Sequence, residues 1–138
     1  MNKSFILNAS PVILLGKAGL LKTISPLAES WIVPEGVVDE IEAKRPIGSY
    51  LSDLAISSEV SRESVEHIHP LVATWDLGKG ESEVITLALQ KAYVNVVLDD
   101  LQARKCAALF QIPLTGYQSK NEKQRSGTTF QLLKKHLL

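Results

Sequence analysis

An α/β fold, with a parallel sheet covered by helices on both faces, is predicted by three observations. Short apolar runs (Phe5-Ile6-Leu7, Trp31-Ile32-Val33, Val94 to Leu98) stop at turn signals, as strands buried on both faces do. Each run is followed by a stretch with helical apolar spacing, and strands alternating with helices imply a parallel sheet. The 138 residues, 45% hydrophobic and 22% charged, suffice for one core and exclude wholesale disorder.

The elements follow in chain order. Phe5 to Leu7 is the first strand and ends at Asn8-Ala9-Ser10-Pro11. Ser10 before Pro11 reads as a helix N-cap with proline at the first helical position, followed by short helices over Val12 to Gly16 and Ala18 to Ile24. Trp31 to Val33 is the second strand, stopped by Pro34. The helix from Glu35 to Lys44 buries Val37, Val38 and Ile41 along one edge and breaks at Arg45-Pro46-Ile47-Gly48. Tyr50, Leu51, Leu54 and Ala55 have helical spacing, and Val65 to His69 reads as a strand. After Gly78-Lys79-Gly80, a long helix spans Glu81 to Ala92. A valine-rich strand from Val94 to Leu98 ends in Asp99-Asp100, a helix runs from Leu101 to Phe110, and Ile112 to Thr115 is the last strand, stopped by Gly116.

Residues 1–116 form the predicted domain. They hold 14 acids and 10 bases, whereas residues 117–138 hold one acid and five bases. This tail is polar over residues 117–127, and Phe130, Leu133 and Leu137 then offer a candidate short helix. Net charge is zero, so no global positive field advertises nucleic acid. The single cysteine, Cys106, excludes a disulfide within the chain and a Cys-rich zinc site, and reads as buried filler. No run reaches the roughly 18 apolar residues of a spanning helix. The apolar start is interrupted by Asn8, Ser10 and Pro11, unlike a secretory signal. A soluble, cytoplasmic chain without membrane attachment is the expectation.

Open parallel sheets bind ligands outside the carboxyl ends of their strands. Those ends carry Asn8 and Ser10 after the first strand and Asp99-Asp100 after the Val94 strand; Asp39, Glu40 and Glu42 lie on one helix, Glu81 and Glu83 at the start of another. At about 100° per residue, Glu81 falls in register with Ile85, Ala88 and Ala92 and faces the sheet, whereas Glu83 points to water. A helix-start acid is explained by the helix dipole alone, but a carboxylate on the packed face needs a partner. One of Asp99 and Asp100 is expected to cap the next helix and the other to face the site. Converging carboxylates repel unless a hard divalent cation joins them.

Four segments carry a family resemblance. Phe5-Ile-Leu-Asn-Ala-Ser-Pro-Val-Ile-Leu-Leu-Gly-Lys17 resembles the opening strand and helix of PIN-domain proteins of the VapC-like type. Val33-Pro-Glu-Gly-Val-Val-Asp-Glu-Ile41 is similar to their second strand and acidic helix. Leu77-Gly-Lys-Gly-Glu-Ser-Glu-Val-Ile-Thr-Leu-Ala88 resembles the Gly-Glu-x-Glu helix of one subgroup, and Val97-Leu-Asp-Asp-Leu-Gln-Ala-Arg104 its Leu-Asp-Asp-x-x-Ala-Arg segment. The segments occur in family order. The resemblance implies a three-layer α/β/α sandwich and cleavage of RNA phosphodiester bonds dependent on Mg²⁺ or Mn²⁺. It also implies a toxin opposed by a cognate antitoxin, and a homodimer. The acidic quartet it implies falls on Asn8, Glu40, Glu81 (Glu83 the lesser claimant) and Asp100 or Asp99, with Ser10 beside the first position.

Asn8 departs from the family's Asp: an amide keeps the shape and a carbonyl acceptor but loses the charge and the second acceptor oxygen. That supports a competing reading, a PIN-fold protein that binds RNA or an antitoxin without cutting. The C-terminus departs too, with Gly127-Thr128 a displaced equivalent of the family's Gly-Thr turn. A nucleotide-binding reading lacks a Gly-rich phosphate loop after the first strand. His67 and His69 read as a solvated pair, Trp31 and Trp75 as core. Arg104 and Lys105 read as solvated, as neutralising local acids, or, like the basic tail, as contacting RNA phosphate.

Overall fold

The apolar runs form the middle of the sheet. In the computed structural model, which describes residues 3–92 and 94–115, β1 (Ser4–Leu7) lies between β2 (Ser30–Pro34) and β4 (Val94–Val97), parallel to both. Phe5 pairs with Trp31 on one side and Asn95 on the other. β3 (Glu59–Glu63) and β5 (Leu114–Thr115) extend the sheet, giving the all-parallel order β3-β2-β1-β4-β5. The readings on the tail, residues 117–138, lie outside the described residues.

Seven described helices flank the five strands in a three-layer α/β/α arrangement. They are α1 (Ala9–Lys17), α2 (Leu21–Ile24), α3 (Glu35–Glu42), α4 (Gly48–Leu54), α5 (Pro70–Ala73), α6 (Lys79–Gln90) and α7 (Leu101–Leu109). α6 packs on β1, β2 and β4 and also against α3, α5 and α7. Ile6, Leu7, Val33, Val96 and Ile85 have essentially no exposure. Burying each such side chain contributes about 1.5–3 kcal/mol, which is why these runs and not the charged ones hold the centre. Trp31 is fully buried beside Phe5, with ring centroids 5.2 Å apart, and its indole nitrogen donates to the Ser25 carbonyl at 3.0 Å. Trp75 is half-buried against the same core, and Cys106 is buried as expected.

Several local expectations are corrected. The first helix starts at Ala9 with Asn8 as N-cap, so Ser10 is already in the helix and Pro11 is its third residue. Pro11 costs nothing there, because the first-turn amides have no carbonyl to meet. The second short helix is only Leu21–Ile24, continued by a 3-10 turn, Ser25–Leu27. Val65 to His69 is not a strand. The strand lies upstream at Glu59–Glu63, and His69 caps α5, its Nδ1 accepting from the Leu71 amide at 3.1 Å. His67 and His69 therefore do not alternate on one strand face. Val65 and Ile68 still pack on the core, which explains why that segment reads as apolar.

Candidate functional site

The strand order reverses at β1: the chain runs outward through β2 and β3, then returns to place β4 on the other side. Such a reversal opens a crevice at the carboxyl ends of the two adjacent strands. Asn8 leaves β1 there, its amide donating to the Val97 carbonyl of β4 at 3.3 Å, and Asp99-Asp100 follow β4. α3 starts directly after β2, and the first turn of α6 comes against α3.

Gly80, in that first turn, marks the meeting point. A Cβ there would lie 3.0 Å from Glu40 Oε1, 3.2 Å from Asn8 Oδ1 and 3.4 Å from Val37 Cγ2. Two oxygens from different elements thus converge over a residue without a side chain. Asn8 is 3% exposed, and its Nδ2 donates to Glu81 Oε2 across a long 3.5 Å. The donation turns Oδ1 toward Glu40 and Gly80, where that oxygen is buried without a hydrogen-bond partner among the described residues. Glu40 is exposed overall, but its carboxylate end turns in. Burial first, and the negative charge of Glu81 second, push the Glu40 carboxyl above the ordinary range, while Lys44 pulls it back.

The structure therefore brings Asn8, Glu40 and Glu81 together. Asp100 is exposed and caps α7, its Oδ2 accepting from the Ala103 amide at 2.9 Å. Asp99, half-buried in the same turn, neighbours the Arg104 guanidinium. Both stand on the adjoining strand end. Ser10 is exposed in the first turn of α1.

Glu83 is the site region's main correction. It does not point to water: it is 5% exposed, and its Oε1 accepts from the Gly36 amide in the first turn of α3 at 2.8 Å. A Cβ on Gly36 would lie 2.7 Å from that carboxyl carbon, so glycine is what lets the carboxylate reach the backbone. A one-sided reading of α6 fails because the helix is buried from Ser82 to Ala88, nearly all round. The buried polar positions Ser82, Glu83 and Thr86 lower the apolar signal on that side without facing water. Thr86, for example, accepts from the His69 amide at 3.1 Å. Arg104, open between solvated, acid-neutralising and phosphate-contacting roles, is not solvated, with 8% exposure, whereas Lys105 is exposed.

A family model described as PIN domain (DUF3368) matches residues 4–118. The chain belongs to the PIN-domain family. No curated protein matches it significantly. PIN domains are generally nucleases, which gives the chain a nuclease-type function, and they generally use divalent metal ions. The donor set fits such an ion in kind: two carboxylates and an orphaned amide oxygen are hard oxygen ligands. It is poorer in charge than a full acidic set. Among the described residues, no three His, Cys, Asp or Glu side chains cluster as metal ligands. Nor is any described helix long and apolar enough to cross a membrane.

Proposed function

We propose that this PIN domain is a metal-dependent endoribonuclease of the VapC-like toxin type, acting in the cytoplasm as a homodimer and held in check by a cognate antitoxin. The observation that carries the nuclease reading is the buried Asn8 Oδ1, without a partner among the described residues, beside the Glu40 carboxylate, with Glu81 fixing the amide from the other side. Glu40, Glu81 and Asn8 Oδ1 would hold Mg²⁺ or Mn²⁺, with Asp99 and Asp100 as the adjoining acidic wall. The bound ion supplies an activated water and stabilises charge developing on the phosphate.

The chain's own groups do the rest. Glu81 accepts from the Asn8 amide and so keeps the carbonyl oxygen, not the NH₂, facing the site. Glu40 turns its carboxylate end inward beside Asn8 Oδ1, where it would face the ion. Gly80 lets the first turn of α6 come close to Glu40 and Asn8, since a Cβ there would lie 3.0 Å from Glu40 Oε1. Lys79 sits 4.0 Å from Asp39 in an exposed pair; such pairs are worth about 0–1 kcal/mol, so Lys79 can leave it for a phosphate oxygen at little cost.

Asn8 itself favours a second reading, a PIN fold that binds RNA or the antitoxin without cutting. One experiment separates them. A mixed pool of structured RNA is incubated with Mn²⁺ or Mg²⁺ against an EDTA control, using wild type, Glu40→Gln, Asp100→Ala and Asn8→Asp. Metal-dependent cutting by wild type that Glu40→Gln loses is the expected result. Cutting only by Asn8→Asp selects the second reading, and silence in all four withdraws the nuclease.

A further inference from the structure

Arg104 occupies an expensive position. It lies in α7 with 8% exposure, so its charge is removed from water. The effective penalty for burying such an ion is several kcal/mol, and a well-packed apolar side chain is often the more stable choice. The guanidinium spends its contacts on the main chain at the carboxyl edge of the sheet. Nη1 donates to the Leu98 carbonyl at 2.7 Å and, more weakly, to the Thr115 carbonyl at 3.5 Å. Nη2 is buried and meets no hydrogen-bond partner among the described residues.

Leu98 is the residue from which the acidic pair departs, and Thr115 is the end of β5. One planar cation therefore ties the turn carrying Asp99 and Asp100 to the neighbouring strand end. It also sets a positive charge beside Asp99. Asp100 caps the helix that carries Arg104, and the Arg104 amide donates to the Asp100 carbonyl at 2.9 Å. The result is a closed loop: the turn holds the helix, and the helix's arginine holds the turn.

We propose that Arg104 is a positioning residue, which fixes the Leu98–Asp99–Asp100 turn, and with it the acidic wall of the crevice, against β5. Its bearing on metal binding rests on the nuclease reading above; its hold on the turn does not.

The test compares Arg104→Met and Arg104→Lys with wild type in the full chain. Hydrogen exchange reads the turn, calorimetry reads Mn²⁺ affinity, and RNA cleavage reads kcat and KM. In Arg104→Met, the amides of residues 99–103 should exchange about tenfold faster while those of β1 and β2 keep their protection. Mn²⁺ should bind more weakly, because the acidic wall beside its ligands loses its fixed place. kcat should fall with KM nearly unchanged, and Arg104→Lys should recover most of each effect, because an ammonium can still donate to Leu98. Unchanged exchange at residues 99–103 in Arg104→Met overturns the proposal. So does a uniform loss of protection in both variants, which would make Arg104 a general fold residue. Wild type that neither binds Mn²⁺ nor cuts RNA would sink the nuclease reading, and the exchange data alone would then decide the role of Arg104.

Discussion

Glu81 and Glu83 stand two residues apart on one helix and meet different fates. Glu83 is buried with its oxygen on the Gly36 amide at 2.8 Å, a short bond at the dipole-positive start of α3. Glu81 lies half-buried at the crevice and, among the described residues, hydrogen-bonds only to the Asn8 side-chain amide, at 3.5 Å. The first carboxylate is satisfied by the protein and fastens α6 to α3. The second is left short of partners, beside an amide oxygen that has none among the described residues. Burial alone does not mark a functional acid; under the proposed function, incomplete satisfaction at a strand-end crevice is the better mark.

The sharpest way to break this contrast is to remove the satisfied acid. Glu83→Ala orphans a buried amide and leaves a cavity, and should cost about 2–4 kcal/mol in urea unfolding. Gly36→Ala attacks the same contact from the other side. With a Cβ 2.7 Å from the carboxyl carbon, it should cost about 1–3 kcal/mol by the same measurement. Asn8→Asp tests the unsatisfied side. It replaces the donor to Glu81 with a third negative charge, so the metal-free protein should lose about 1 kcal/mol, and Mn²⁺ should raise its melting temperature more than that of wild type. Glu81→Gln should change metal-free stability by less than about 1 kcal/mol while weakening Mn²⁺ binding in calorimetry, the reverse of Glu83→Ala.

The smallest expected effect is in pH dependence. The folded Glu40 carboxyl is raised above its ordinary 4.5, so the native state holds its proton where the unfolded state has released it. Glu40 therefore favours folding at low pH, and this contribution is lost as pH rises from about 4.5 through the folded value. Glu40→Gln should then be the more stable protein near pH 7, with the gap closing toward pH 4. Urea midpoints across that range check the sign.

Much of this was legible in the chain. β1, β2 and β4 announce themselves as apolar runs because both of their faces are covered. β3 was not, because it is an edge strand carrying Glu59, Arg62 and Glu63. Charges of that kind suit an edge and hide it from any search for apolar alternation. Asn8 could be expected at the crevice from its strand end and Glu81 from helix register, whereas Glu40 stands out from Asp39 and Glu42 only through the family resemblance. The role of Glu83 could not, because a helix buried nearly all round has no single inward direction to compute. The burial of Arg104 was hidden for a different reason: its partners are main-chain carbonyls of Leu98 and Thr115, which leave no mark in the sequence.

The Gly36–Glu83 contact also constrains how this chain can change over time. The two residues lie 47 positions apart, yet neither is free to be replaced first. Any larger residue at 36 meets the carboxylate, and any shorter one at 83 strands the amide. Every single-step path away from the pair passes through a less stable protein. Descendants that keep this fold should inherit glycine and glutamate together or lose them together, a constraint that ties no two acids of the crevice to each other.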